Sequence, residues 1–188
     1  MAQTKIRQDQ IGIASSVNVN SNFITDVLDP VSAQDAATKN YVDNSFFTPS
    51  VFHVNKNGTN QTIANETLTI ITWSTAVINE GSDFNLTNNN YVVPETGVYH
   101  FECSGRINNL NDGDVWGVNI NKNASNLASN AAYASNALTT QAIYGYVSLT
   151  TSLTAGDIID IRGYHNYGAD SLLRGLINET FFSGYRIS

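Results

Sequence analysis

The chain of 188 residues is long enough for one ordinary domain with an appendage, because single hydrophobic cores usually span ~100–200 residues. It is 41% hydrophobic, so a core can form, but only 13% of its residues are charged, about half the usual fraction. Asn accounts for about one residue in eight, which favours turns and hydrogen-bonding strands. The net charge of -7 and the nine scattered Lys and Arg residues argue against nucleic acid as a partner, because phosphate binding needs clustered cations.

The first 31 residues are predicted to be extended and to pack poorly on themselves. Ile6, Ile11 and Ile13 are spaced among Gln, Asn and Ser residues and form no helical apolar face. The first dozen residues hold no apolar run of signal-peptide length, and no later stretch approaches the ~20 apolar residues of a membrane helix. We therefore expect a segment that becomes ordered against a partner and does not insert into a membrane.

Residues 32–48 contain the one helix that the sequence predicts. Ser32 begins a capping-box pattern, and the helix is expected to run through Ala33, Ala37 and Tyr41 and to end near residue 43. A helix of about a dozen residues is too short to be stable alone in water. We expect it to pack on copies of itself or on another protein.

From residue 49 to residue 188, short alternating runs are broken by turn residues, which is typical of an antiparallel β-sandwich. Turn chemistry occurs at residues 94–97, 112–113 and 155–157. No further helix is required. The candidate strands are residues 51–54, 68–73, 91–93, 98–106, 115–121, 142–153, 158–164 and 180–187.

Alternation within these strands predicts which side chains face the core. Tyr99, Phe101 and Cys103 share one face of a strand, and we expect that face to be buried, with the single cysteine as an inert thiol. Residues 124–137 are low in complexity and nearly uncharged, so we expect a long connection between strands there. Two further sets of residues share one face of their strands by the same period of two, as in half-buried strands. They are Trp116, Val118 and Ile120, and Ile143, Val147 and Leu149.

Four sequence motifs follow one another in this region. Trp73 and Phe84 precede a run, residues 91–101, that reads aromatic and then Pro-x-x-Gly-x-Tyr-x-Phe. Residues 153–161 read Leu-x-x-Gly-Asp before an apolar strand, and residues 180–185 read Thr-Phe-Phe-Ser-Gly-Tyr. In this order they resemble the globular heads of complement component one subunit q and the related tumour necrosis factor family. The resemblance implies a mainly β fold, a ten-strand antiparallel jelly-roll sandwich that assembles as a homotrimer, although no collagen-like stalk precedes it.

A second resemblance concerns residues 24–43, ITDVLDPVSAQDAATKNYVD. This segment is similar to one that is common in bacteriophage tail fibres and related virion appendages. It implies a virion structural protein, assembled in the host cytoplasm as a homotrimeric short fibre or spike. Residues 1–31 would anchor it to other virion proteins through Ile6, Ile11 and Ile13. Residues 32–48 would form a trimeric neck through Ala33, Ala37 and Tyr41, and residues 49–188 would be the head.

Other functions remain open at this point. The protein could be a capsid decoration or head-fibre protein without specific receptor binding, a glycan-cleaving spike, or a secreted ligand of the complement type. His53, His100 and His165 lie on separate predicted elements, and no Gly-x-Ser-x-Gly motif occurs. Two carboxylate pairs, Asp112 with Asp114 and Glu80 with Asp83, could bind a metal or serve acid–base chemistry, but they are expected to be solvated turn residues. Residues 109–114 lack the full spacing and closing Glu of a calcium loop. We therefore expect no enzymatic activity, no cofactor and no metal.

For binding, the best candidates are aromatic and amide groups in the second half of the head. Flat aromatic rings beside amides suit carbohydrate rings, because they offer apolar contact together with directed hydrogen bonds. Some of these tyrosines could equally cover core edges or the trimer interface. The expected partner is a host cell-surface glycan or protein, and the predicted receptor-binding residues are Trp116, Tyr133, Tyr164, His165, Asn166 and Tyr167.

Overall fold

The computed structural model describes Asp26, residues 28–32, Ala37, residues 41–42, residues 49–135 and residues 141–188. The chain divides into two units, Met1–Phe47 and Thr48–Ser188, and thirteen strands are described in the second. They are β1 (Val51–Asn55), β2 (Gln61–Ile63), β3 (Thr69–Ile70), β4 (Thr75–Glu80), β5 (Phe84–Asn85), β6 (Asn90–Val92), β7 (Gly97–Leu110), β8 (Val115–Lys122), β9 (Ser125–Tyr133), β10 (Gln141–Leu153), β11 (Ile158–His165), β12 (Ser171–Leu173) and β13 (Phe181–Arg186). Within these ranges no helix is both long and apolar enough to span a membrane.

Seven strands form the first sheet, which we call sheet A. Its strands run in the order β4, β1, β13, β7 and β10, while β12 and β2 lie beyond the end of β13 on the same side of β7. The two longest strands, β7 and β10, pair antiparallel from Gly97 and Leu153 to Leu110 and Gln141. The last strand of the chain, β13, lies between β1 and β7. The first and last strands of the head therefore support each other.

Six strands form the second sheet, sheet B, in the order β5, β6, β11, β8 and β9, with β3 also paired to β11. Strands β8 and β9 are joined by a tight hairpin. The two residues at its tip, Asn123 and Ala124, have φ angles of 50° and 66°. A two-residue turn with positive φ at both positions matches the right-handed twist of the strands it joins.

The predicted antiparallel sandwich is confirmed, and each of the predicted strand ranges overlaps an observed strand. The described residues form thirteen strands, whereas alternation predicts eight and the resemblance implies ten. The strands outside the eight predicted ranges are β2, β4, β5, β9 and β12. The expected long connection at residues 124–137 is wrong over most of its length, since β9 occupies Ser125–Tyr133. Among the described strands it pairs with β8 alone, at the end of sheet B, so small side chains are sufficient there.

Part of the core between the sheets is a cluster of aromatic rings. Phe52 lies 4.8 Å, between ring centroids, from both Tyr91 and Phe182. Such pairs contribute about 0.5–1.5 kcal/mol each beyond the apolar area that they bury. The alternation predicted for β7 is confirmed, because the fully buried side chains of that strand include Tyr99, Phe101 and Cys103.

Trp116 occupies a niche formed by three glycines from both sheets. Its indole Nε1 donates a hydrogen bond to the Gly105 carbonyl at 2.8 Å. Gly105 pairs with Gly145 in sheet A, and a Cβ atom at Gly145 would lie 2.8 Å from the same Nε1. A Cβ at Gly163 in sheet B would lie 2.4 Å from Cη2 of the ring. The absence of side chains at these positions is therefore what makes room for Trp116, the largest fully buried side chain.

The predicted anchor and neck fall largely outside the described residues. Ile6, Ile11, Ile13 and Ala33 lie outside them, whereas Ala37 and Tyr41 are described and exposed. The anchor and the trimeric neck stay predictions.

Candidate binding surfaces

Sheet A carries an outer face rich in aromatic side chains. Residues that alternate with the core residues point away from sheet B, and the pairing register arranges them in rows across the strands. The central row consists of Ile78, His53, Ser183, Glu102 and Ser148. We call this surface the aromatic face, and its ring-bearing and aliphatic members are His53, Ile78, His100, Tyr144, Tyr146, Phe181 and Tyr185. The three tyrosines are 46–54% exposed.

A cavity of about 260 Å³ opens in the middle of the aromatic face. His53, His100, Glu102 and Tyr185 line it, together with neighbouring atoms of β1, β4 and β13. The ring centroids of His100 and Tyr185 are 5.3 Å apart. The wall is thus aromatic, and a carboxylate lies within it.

Hydroxyl groups hold the Glu102 carboxylate in place. Tyr146 donates its phenolic hydrogen to Oε2 at 2.9 Å, and Ser183 donates to Oε1 at 3.0 Å. The first of these bonds raises the pKa of Tyr146, because a phenol that donates to a carboxylate gives up its proton less readily. His100 lies beside this pair, with Nδ1 2.9 Å from the Thr150 hydroxyl.

The outer face of sheet B is chemically different. We call it the polar face, and its central members are Asn90, Asn119, Ser129, Asp160 and Arg162. Arg162 Nε donates to Asp160 Oδ1 at 2.8 Å, so the charges on this face are paired with each other. Val92 and Ile158 pair at one side of it.

Two of the predicted receptor-binding residues are buried, and their assignment was wrong. Trp116 and His165 are both 0% exposed, because each lies on the inward phase of its strand and they pair with each other across β8 and β11. His165 Nε2 is 2.8 Å from the Ile63 carbonyl oxygen. Tyr167 is only partly buried, but it packs against the core.

The other three predicted receptor-binding residues lie together at one corner of the polar face. Tyr164 pairs with Gly117, so its ring has a small neighbour on the adjacent strand. Tyr133 lies one row further along, at the end of β9, and is 69% exposed. Asn166 accepts a hydrogen bond from the Val115 backbone N–H at 2.7 Å, beside Tyr133. We call Tyr133, Tyr164 and Asn166 the sheet B corner.

The acidic residues considered for metal binding have local structural roles. Asp114 Oδ2 accepts from the Asn111 backbone N–H at 2.7 Å, and Asp83 Oδ2 accepts from the Ser50 hydroxyl at 2.6 Å. Within the ranges that the structure describes, no group of three or more His, Cys, Asp or Glu side chains is arranged to hold a metal ion.

A buried amine lies at the end of β1. Lys56 is 1% exposed, and its Nζ donates to the Thr72 carbonyl at 2.7 Å and to Gln61 Oε1 at 3.1 Å. Burial lowers its pKa to about 8, because these neutral acceptors compensate only in part for the lost hydration of the ammonium group.

Sequence reasoning did not single out the aromatic face, although a signal for it was present. Tyr144 and Tyr146 alternate with Ile143 and Val147 in β10, so a strand whose apolar phase is buried must expose both tyrosines. The contributions of His53, His100 and Tyr185 come from three other strands. Their proximity depends on the order of strands in sheet A.

Comparison with known proteins agrees with this architecture. The sequence matches no family model and no curated protein. Among solved structures, the globular domain of zebrafish complement 1qA protein has a TM-score of 0.54 and 16% identity, over 74% of this chain and 98% of that one. The Eiger TNF of S. frugiperda has a TM-score of 0.55 and 17% identity, over 76% and 93% of the two chains. Murine APRIL has a TM-score of 0.55 and 16% identity, over 74% and 99%.

The chain has the jelly-roll fold of these proteins. The fold expected from the four sequence motifs is therefore confirmed. Identities of 16–17% show a shared fold alone.

Proposed function

We propose that this protein is a homotrimeric head that joins copies of itself through the aromatic face and presents the sheet B corner to a host surface. The observation that carries the proposal is the aromatic face, where Tyr144, Tyr146 and Tyr185 are about half exposed and a cavity opens beside Tyr185. Contiguous apolar patches on a soluble domain usually mark interaction sites. Aromatic residues are also enriched in the buried centre of interfaces.

Shared fold supports a symmetric assembly as well. The resemblance to complement component one subunit q and the tumour necrosis factor family implies a homotrimer. A second copy is the occupant that we assign to the aromatic face. Sedimentation of the full chain over a range of concentrations tests this assignment, and a folded monomer at all accessible concentrations would contradict it.

We place the trimer in a bacteriophage virion, as a short fibre or spike. The support is the segment of residues 24–43, which resembles tail-fibre sequences. Residues 1–31 would anchor it to other virion proteins, and residues 32–48 would form the neck. Deletion of residues 1–31 should abolish incorporation into particles while leaving the head folded. Unchanged incorporation would show that the anchor lies elsewhere.

For the host partner we propose a glycan bound at the sheet B corner. Tyr133 is 69% exposed and Tyr164 is partly exposed, so both rings are accessible for sugar stacking. The Asn166 side chain is beside Tyr133. Three corners per trimer would strengthen a weak single site through effective concentration. Binding of labelled host glycans, compared between the wild type and Tyr133→Ala, tests the assignment. Equal binding by both proteins would remove the corner from the proposal.

A decoration role on the capsid is the second candidate. It is favoured by the loss of Trp116 and His165 from the predicted receptor-binding set, because both are buried. Electron microscopy of particles carrying a labelled copy would distinguish head from tail. The proposal includes no enzymatic activity, and release of oligosaccharides from host polysaccharide would contradict that part of it.

A further inference from the structure

Glu102 occupies the centre of the aromatic face. It lies on β7, between Ser183 of β13 and Ser148 of β10. Along the strands, this row has another row of outward-facing residues on each side. Its oxygens accept hydrogen bonds from Tyr146 and Ser183. Both donors are neutral hydroxyls, so they orient the carboxylate without neutralising its charge.

No cation pairs with Glu102 among the residues that the structure describes. Arg106 lies on the same face, but four residues along a strand at ~3.3 Å each separate the two by about 13 Å. The Arg106 guanidinium is engaged elsewhere, with Nη1 2.6 Å from Glu179 Oε1. In the separate copy, water is what solvates the Glu102 charge.

Covering this face with a second copy removes that water. Burying an unpaired carboxylate is strongly unfavourable unless it gains a counter-charge or a proton. His53 and His100 line the same cavity as Glu102, and histidine is the side chain that ordinarily gains its charge between pH 8 and pH 5. Two other ionisable groups are close to this cluster: Tyr185 of β13 lines the cavity, and Tyr146 of β10 donates to Glu102. Further out on the same sheet, Arg106 is paired with Glu179 and lies against Tyr144, and the exposed Glu80 of β4 pairs with Val51 of β1.

We propose that self-association through the aromatic face is coupled to proton uptake at the Glu102–His100–His53 cluster, so that the trimer is strengthened as the pH falls from 8 to 6. The inference rests on the proposed self-association and adds its regulation. A proton taken up by Glu102 removes the unpaired charge, and a proton taken up by either histidine compensates it. Both routes strengthen the trimer at lower pH, because assembly takes up protons in each.

The size of the effect follows from linkage. If each copy takes up one proton, three protons bind per trimer, and the formation constant changes by about a thousandfold per pH unit. Partial uptake gives a smaller slope of the same sign. We expect an increase of at least about 100-fold between pH 8 and pH 6.

The experiment is sedimentation of the full chain at pH 8, 7 and 6 over a series of concentrations, for the wild type and for Glu102→Gln. Glutamine keeps an oxygen for Tyr146 and Ser183 while removing the charge. The variant should associate equally at all three pH values and at least as tightly as the wild type does at pH 6. Glu66→Gln is the matched control, because it removes one exposed carboxylate from a loop and should retain the pH dependence of the wild type.

A second variant keeps the test independent of how Glu102→Gln folds. His53→Gln combined with His100→Gln should reduce the pH slope if a histidine binds the proton, and should leave it unchanged if Glu102 does. A wild-type trimer whose stability is constant from pH 8 to pH 6 would overturn the inference and leave the proposed function standing. Wild-type monomers at every pH would overturn both.

Discussion

The two outer faces of the sandwich are built by the same alternation but have different chemistry. Sheet A exposes Tyr144, Tyr146 and Tyr185 around an unpaired carboxylate, whereas sheet B exposes amides, hydroxyls and the paired charges of Asp160 and Arg162. Each sheet buries its inward phase equally well, so folding alone does not require this difference. The difference supports the proposed self-association through the outward phase of sheet A, whereas most of the outward phase of sheet B has the composition of a solvent-facing surface.

The largest expected effect is the loss of self-association when the aromatic face is made more like the polar face. Tyr185→Asp places a second carboxylate in the row next to Glu102, and it should weaken self-association by on the order of 100-fold or more, because aromatic anchors dominate interface energies. Sedimentation measures the change. Tyr164→Asp introduces the same charge on the other sheet and should leave association intact. Similar weakening by both variants would contradict the division of roles between the sheets.

A second prediction compares the inward and outward phases of sheet B. Gly163→Ala would bring a methyl group 2.4 Å from the Trp116 ring, and the overpacking should lower the free energy of unfolding by about 1–3 kcal/mol. At Gly117, on the outward phase, the nearest atom to an added Cβ is 3.7 Å away, so Gly117→Ala should be nearly neutral. Urea denaturation measures the free energy of unfolding of both variants. Equal stability of the two variants would show that the tryptophan shifts freely.

A third prediction concerns Lys56, the buried residue that follows β1. Its folded pKa of about 8 lies below the ordinary 10.5, so the fold disfavours the charged amine, and this cost is complete below pH 8 and disappears as the pH rises through 10.5. Relative to Lys56→Met, the wild type should therefore gain on the order of 2 kcal/mol in the free energy of unfolding between pH 7 and pH 10. Parallel pH profiles of the two proteins would mean that the buried amine titrates as it does in water.

The smallest effect concerns the hairpin that ends the polar face. Ala124 has a φ angle of 66°, a conformation that glycine adopts without steric cost. Ala124→Gly should raise the free energy of unfolding by about 0.5–1 kcal/mol and leave association unchanged. Ala131→Gly, within the extended part of the same strand, should lower it by a similar amount. Thermal unfolding measures both changes, and a loss of stability in each would contradict the strain assigned to the turn.

Much of the fold could be predicted from the sequence, because large apolar residues alternate in β7, β8, β10 and β11 and turn residues separate them. The tight hairpin between β8 and β9, and β9 itself, could not be predicted from the sequence. Asn123-Ala124 lacks the glycine that usually marks such a turn, and Ser, Asn and Ala residues in β9 carry no strand preference of their own. The strand exists because its backbone completes the hydrogen bonds of β8.

The candidate sites were predictable only in part. Alternation in the sequence already places Trp116 with Val118 and Ile120 on one face, and adjacent residues such as Tyr164 and His165 point to opposite sides of a strand. Strict use of this period would have removed Trp116 and His165 from the receptor-binding set. The meeting of His53, Glu102 and Tyr185 could not be inferred, because it depends on β13 lying between β1 and β7.

The glycine niche around Trp116 has a consequence for how the sequence can change over time. A Cβ atom at Gly145 or Gly163 would lie within 3 Å of the indole, whereas one at Gly105 would lie 3.3 Å from it. The indole in turn would leave a large void if it were replaced alone. Substitution of Trp116, Gly145 or Gly163 is therefore less costly after another of the three has changed, and descendants of this chain should tend to keep these three residues together or to exchange them together for a smaller ring and larger neighbours.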